Sequence, residues 1–203
     1  MKNNKPQFIV FEGIDKSGKD TQAALLVKYI RYTLGHKKVI FTFEPTKNNV
    51  FGLLIHFMLA KHIKILPLLF QRMYYWDRFW HVRQIKKWLK SGYTVVCCRY
   101  FFSTVAYGYS GGVDPQKIIN WHRKMTLPDV VFYLEIGPKE AIERLKKQGV
   151  RGELFEKENF LIKVVEGYNF CREKFPDIWL TIPAQNDPIS VFETIRTAFL
   201  MKR

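Results

Sequence analysis

Apolar positions fall along this chain in short solid runs, separated by longer stretches in which apolar residues recur every three or four positions. The run Gln7-Phe8-Ile9-Val10-Phe11-Glu12 stops at Gly13, and its length and β-branched content predict a buried strand. Runs at 38–43, 94–98, 130–134 and 178–182 predict four more. A helix is predicted from Lys19 to Leu34, with Leu25, Leu26, Tyr29 and Ile30 on one side and Gly35 as its stop signal. A short helix is expected near 52–59. A long one follows from Pro67 to Lys90, closed by Ser91-Gly92, with a core stripe of Phe70, Met73, Trp80, Ile85, Trp88 and Leu89. Strands alternating with helices predict an α/β fold, a five-stranded parallel sheet with helices on both faces whose ligands sit at the carboxyl ends of the strands.

Composition narrows this picture. The 203 residues are 47% hydrophobic and 16% aromatic, enough for one ample core, so a single domain over 1–203 is expected. Cys97 and Cys98 are adjacent and Cys171 is remote, which suits neither a disulfide framework nor a zinc ligand set and points to a reducing, cytoplasmic setting. The basic N-terminus leads straight into the first strand, and no run approaches about 20 uninterrupted apolar residues, so neither targeting nor a membrane partner is expected. A formal charge of +15 concentrates anions, and phosphorylated small molecules, nucleic acid and acidic membrane all qualify. The cations are scattered, however, and a stretch such as Arg83-Gln84-Ile85-Lys86-Lys87 reads as the wet side of a helix. With no continuous basic run and no recognition motif, nucleic acid is not the expected partner.

The strongest chemical signal follows the first strand: Gly13-Ile14-Asp15-Lys16-Ser17-Gly18-Lys19-Asp20-Thr21, then a helix. Gly, four residues, Gly-Lys is the spacing of a phosphate-binding loop. Its backbone N–H groups turn inward, the helix N-terminus adds positive potential, and Lys19 reaches the β- and γ-phosphates. Gly13, Ser17, Gly18, Lys19, Asp20 and Thr21 are therefore candidate ATP ligands. Asp20 stands where a Ser or Thr hydroxyl ordinarily meets magnesium.

The segment Phe8 to Asp15, with Gly18-Lys19 and Thr21-Gln22, resembles the opening of a thymidylate kinase. The likeness continues through Glu44-Pro45-Thr46, Tyr74-Tyr75-Trp76-Asp77-Arg78, Arg99-Tyr100 with Ser103 and Ala106-Tyr107, and Arg151-Gly152-Glu153 with Phe155-Glu156. It implies a P-loop kinase fold with a mobile lid over about 144–157, often a homodimer packed through helices, with ATP and Mg²⁺ as co-substrates. The implied reaction is transfer from ATP to dTMP. The alternatives are a kinase for another pyrimidine monophosphate such as dUMP, or a catalytically weak nucleotide binder.

Within that resemblance Tyr74 and Arg78, four positions apart on one helix side, are expected beneath the base and at its carbonyl edge. Packing or a dimer interface is the other reading of the aromatic cluster from Tyr74 to Trp80. Arg99 would grip the acceptor 5′-phosphate through two parallel hydrogen bonds. Asp15 would meet the sugar 3′-hydroxyl, Ser103 would belong to the acceptor site, and Tyr107 would crowd out a ribose 2′-hydroxyl. Lys19, Lys16, Arg99 and Arg151 are the catalytic candidates, with Arg144 on ATP. Two positions depart from the family pattern: Asp20 replaces a hydroxyl residue, and Cys98 replaces an aspartate expected near the metal. Asp20 is therefore the expected metal ligand.

Overall fold

The computed structural model describes residues 5–35, 37–63, 65–147, 149 and 154–202, the side chains of 154–156 excepted. Five strands, β1 (Phe8–Glu12), β2 (Val39–Phe43), β3 (Thr94–Cys98), β4 (Val130–Glu135) and β5 (Trp179–Pro183), form one parallel sheet in the order β2-β3-β1-β4-β5. β1 is central, and every one of its residues is buried, Glu12 included. Val10 pairs with Cys97 on one side and Val131 on the other. The five predicted strands are thus present, with boundaries shifted by a residue at most.

Helices α1 (Lys19–Lys28), α2 (Val50–Ala60), α3 (Pro67–Lys90), α4 (Phe101–Ser110), α5 (Pro115–His122), α6 (Pro138–Lys147), α7 (Leu154–Lys174) and α8 (Pro188–Lys202) flank the sheet. α1 ends earlier than the pattern predicts, because its last turn, Tyr29–Thr33, widens into a π-helical turn before Gly35. α3 has the predicted limits but not the predicted stripe. Ile85 is fully buried, whereas Trp80 is exposed. The buried face is largely polar instead, with Gln71, Asp77, Arg78 and His81 joined by Val82 and Ile85. Buried polar groups need partners, and the loop after β2 supplies them. Asp77 accepts hydrogen bonds from Thr46 N (2.9 Å), Thr46 Oγ1 (2.6 Å) and Asn49 Nδ2 (2.6 Å), while Glu44 accepts from Arg78 Nε (2.6 Å) and pairs with His81 Nδ1 (2.8 Å).

One buried carboxylate sets the geometry of the opposite wall. Glu12, the last residue of β1, accepts the Tyr100 and Ser103 N–H groups at the start of α4 (2.7 and 3.2 Å) through Oε1. Its Oε2 receives the Ser103 and Tyr168 hydroxyls (2.6 and 3.0 Å). It therefore caps α4 from another element. Burial pushes its carboxyl above the ordinary 4.5, against these hydrogen bonds and the charge of Arg99. None of the described helices is long and apolar enough to cross a membrane.

Candidate functional site

The loop between β1 and α1 wraps the carboxyl end of the sheet. Lys19, the first residue of α1, is only 3% exposed, and its Nζ donates to the Ile14 carbonyl at 3.2 Å while lying 3.9 Å from Asp15 Oδ1. Burial, together with Arg99, lowers its pKa, and Asp15 opposes the shift. Beside it lies a cavity of about 890 Å³ lined by Asp15, Lys16, Gly18, Lys19, Asp20, Thr21, Arg99 and Arg144, together with Lys157 and Phe160 of α7. Arg144 reaches across from α6: its Nε pairs with Glu140 (2.9 Å), and its terminal nitrogens donate to the carbonyls of Lys16 (3.1 Å) and Ala184 (2.8 Å). It ties the phosphate loop to the segment after β5. Gly13 opens the loop, and Ser17 is buried with a hydroxyl that has no partner among the described residues.

A second cavity of about 490 Å³ adjoins the first and shares Asp15, Arg99 and Phe160 with it. Its other walls include Pro45, Phe70, Gln71 and Tyr74, and Ser103, Thr104 and Tyr107 of α4. Arg99, directly after β3, is held in a left-handed conformation (φ 66°) by the hydrogen bond from its N–H to Phe11 O (2.9 Å). Its guanidinium donates to Ser103 Oγ (3.2 Å), pairs with Asp15 and stands over the Tyr107 ring. Against partial burial, the charges of Arg99 and Lys19 hold the Asp15 carboxyl below the ordinary carboxylate range. The Tyr107 hydroxyl has no partner among the described residues. A basic cavity over a phosphate loop, joined to an aromatic cavity through one arginine, is the arrangement that transfer between two phosphorylated ligands requires.

The sequence profile described as "Thymidylate kinase" matches residues 11–195, nearly the whole chain. The chain belongs to the thymidylate kinase family. Its relatives include a probable thymidylate kinase of Methanocaldococcus jannaschii, 37% identical over 83% of this chain and 82% of the relative. The thymidylate kinase of Plasmodium falciparum is 35% identical over 89% and 83%. The crystal structure of the Ehrlichia chaffeensis thymidylate kinase superposes with a TM-score of 0.77 at 26% identity, covering 96% of this chain and 98% of that one.

Most of the thymidylate-kinase residues expected from the sequence gather around the two cavities. Lys16, Gly18, Lys19, Asp20, Thr21 and Arg144 line the first, Tyr74, Ser103 and Tyr107 the second, and Asp15 and Arg99 both. Arg78 is placed differently. It lines neither described cavity: it is 1% exposed and bonded to Glu44, to Thr104 Oγ1 (3.0 Å) and to His122 Nε2 (2.9 Å). Thr104 forms the wall and Arg78 stands one layer behind it, because buried Glu44 requires a cation. His122 donates its Nδ1–H to Ile118 O (2.7 Å), and burial together with Arg78 pushes its pKa down to about 3, so a neutral ring accepts from Arg78. Arg151, Gly152 and Glu153 lie outside the described residues, as do the side chains of Phe155 and Glu156, so the lid expected over 144–157 is described only at its two ends.

Sequence reasoning missed Gln71, Thr104, Lys157 and Phe160 as cavity walls. The first two carried a usable signal, since Gln71 lies three positions before Tyr74 on the helix and Thr104 adjoins Ser103. Lys157 lies at the end of the lid expected over 144–157, though it was not named as a ligand, and Phe160 carried no signal, since only the return of α7 past the phosphate loop brings it there.

Proposed function

We propose that this thymidylate kinase family member transfers the γ-phosphate of ATP to dTMP, giving ADP and dTDP. The observation that carries the reading is the meeting of the two cavities at Asp15 and Arg99. Phosphoryl transfer calls for alignment and positive charge more than for a base. Lys19 and Lys16 bear on the donor phosphates, Arg144 on the nucleotide beside them, and Arg99 exchanges its contact with Asp15 for the acceptor phosphate. Asp15 then takes the sugar 3′-hydroxyl, Tyr74 lies against the base, and Tyr107 fills the space that a 2′-hydroxyl would need. The names of the relatives do not favour the alternatives, a dUMP kinase or a weak nucleotide binder.

The donor chemistry fits a magnesium ion. Asp20 offers a carboxylate at the mouth of the phosphate cavity, and a hard cation that shares its shell with substrate phosphates and water needs few protein oxygens. When bound, the ion would spread the negative charge of the phosphates. The unbridged, buried cysteines suit a reducing, cytoplasmic setting, and the whole chain is read as one domain with a lid over 144–157. Exposed Leu53, Leu54 and Phe57 of α2, with Leu69, Trp76 and Trp80 of α3, support the homodimer that the family implies.

A coupled ADP-release assay with dTMP, dUMP, dCMP and dAMP tests the reading. The highest kcat/KM is expected for dTMP, with turnover abolished by EDTA and restored by Mg²⁺. Absence of ADP release with every monophosphate would overturn it.

A further inference from the structure

The middle of α7 carries a hydroxyl with no part in the transfer described above. Tyr168 is completely buried, its ring against those of Tyr133 and Trp179. Its Oη lies within hydrogen-bonding distance of three oxygens: Glu12 Oε2 at the end of β1 (3.0 Å), the Gly13 carbonyl at the start of the phosphate loop (3.3 Å) and Ser103 Oγ in the first turn of α4 (2.9 Å). A phenol has one hydrogen, so it serves these acceptors one at a time. Burial, and then the Glu12 charge, push the Tyr168 pKa well above that of an ordinary phenol, so the hydrogen stays on the oxygen.

Ser103 is the acceptor for which this hydrogen matters. Its hydroxyl donates to Glu12 Oε2 at 2.6 Å and accepts from Arg99 Nη1 at 3.2 Å. Arg99 Nη2 pairs with Asp15, so both terminal nitrogens of the guanidinium are engaged. A two-point grip on a phosphate draws on those nitrogens and competes with both contacts. Asp15 is exposed and can turn to water or to a sugar hydroxyl. Ser103 is only 9% exposed, and the loss of Arg99 would leave its oxygen a buried acceptor short of a donor. The Tyr168 hydroxyl is already within reach. Rotation about its C–O bond turns the hydrogen from Glu12 to Ser103, while Glu12 Oε2 keeps the hydrogen of Ser103.

We propose that Tyr168 is a positioning residue of the acceptor site, whose hydroxyl hydrogen turns from Glu12 to Ser103 as Arg99 leaves Ser103 for the acceptor phosphate. The inference rests on the assignment of Arg99 to that phosphate and adds the group that releases the arginine. Glu12 keeps three of its four donors throughout, the Tyr100 and Ser103 N–H groups and the Ser103 hydroxyl. Tyr168 lines neither described cavity, so it acts through Ser103 and Arg99 alone. The helix that follows the expected lid is thereby tied to acceptor binding by one hydrogen bond.

Calorimetric binding of dTMP, and of thymidine, which lacks the phosphate, to the parent, Tyr168→Phe, Ser103→Ala and the double variant tests this, alongside steady-state KM values. The parent should bind dTMP more tightly than thymidine. Tyr168→Phe keeps the ring and removes the hydroxyl. It should weaken dTMP binding roughly 5–10-fold, the low end of the penalty for a buried unpaired acceptor. Thymidine binding should be unchanged, and the KM for dTMP should rise without the KM for ATP. In the Ser103→Ala background no acceptor is stranded, so adding Tyr168→Phe should change dTMP affinity by less than about twofold. Equal weakening of dTMP and thymidine, no weakening of either, or the same dTMP loss in both backgrounds would mean that Tyr168 only packs. Each of these would overturn the inference while leaving the thymidylate reading in place. A parent that binds thymidine as tightly as dTMP would overturn the Arg99 assignment and the inference with it.

Discussion

Asp20 and Cys98 are 78 positions apart in sequence, and the Cys98 thiol donates to Asp20 Oδ1 at 2.9 Å. The two positions expected to depart from the family pattern thus meet in one local arrangement, a thiol against a carboxylate beside the phosphate loop. Burial pushes the Cys98 pKa up, and the Asp20 charge pushes it further. The thiol stays protonated, so it serves as a donor and not as a ligand, since hard cations take oxygen. Asp20→Ser is therefore expected to raise the Mg²⁺ concentration needed for half-maximal turnover and to lower activity roughly 10–100-fold. Adding Cys98→Asp should restore part of both, because contacting sites are not additive. Mn²⁺ binding followed by electron paramagnetic resonance, in the presence of ATP, reads the same exchange without turnover. An Asp20→Ser protein with the parent's Mn²⁺ affinity and activity would show the two positions to be unrelated.

Among the elements, α4 carries the acceptor wall, and its position is fixed from both ends. Glu12 holds its first turn, and α7 packs along its length. At the crossing Gly167 faces Ala106 so closely that a Cβ on Gly167 would come within 2.6 Å of the Ala106 Cα, with backbone on both sides and no flexible side chain to yield. Gly167→Ala must push the two helices apart, and a cost of about 1–3 kcal/mol is expected in urea unfolding. Because Tyr107 adjoins Ala106 and Phe160 lies two turns before Gly167, the same change should raise the KM for dTMP. A variant as stable as the parent would mean that α7 slides freely along α4. The phosphate loop, by contrast, is local: one strand, one turn and one helix start contain all its parts, so its spacing in the sequence was enough to locate it.

For the whole molecule, the exposed apolar face of α2 and α3 is the feature that a lone protomer leaves unsatisfied. Phe51 of α2 stacks on Trp76 of α3, with ring centroids 6.2 Å apart, so the two helices present one continuous surface. On the homodimer reading the parent should sediment as a dimer and the double variant Leu53→Lys/Phe57→Lys as a monomer, because like charges would meet across a two-fold interface. Dimers that persist in this variant would place the interface elsewhere.

By itself the sequence determined what depends on neighbours along the chain: five apolar strand runs, their alternation with helices, the glycine and lysine spacing of the phosphate loop, and the shared side of Tyr74 and Arg78. It misassigned Trp80 to the core, since an aromatic ring at helical spacing looks the same whether it faces a sheet or a partner. Only the tertiary structure decided which face of α3 turns inward, because that depends on Glu44 and Thr46 arriving from β2 with partners for Arg78, His81 and Asp77. It also set Asp20 against Cys98 and moved Arg78 behind Thr104. The physical reason is the strand order β2-β3-β1-β4-β5, which makes neighbours of chain segments that local periodicity cannot relate.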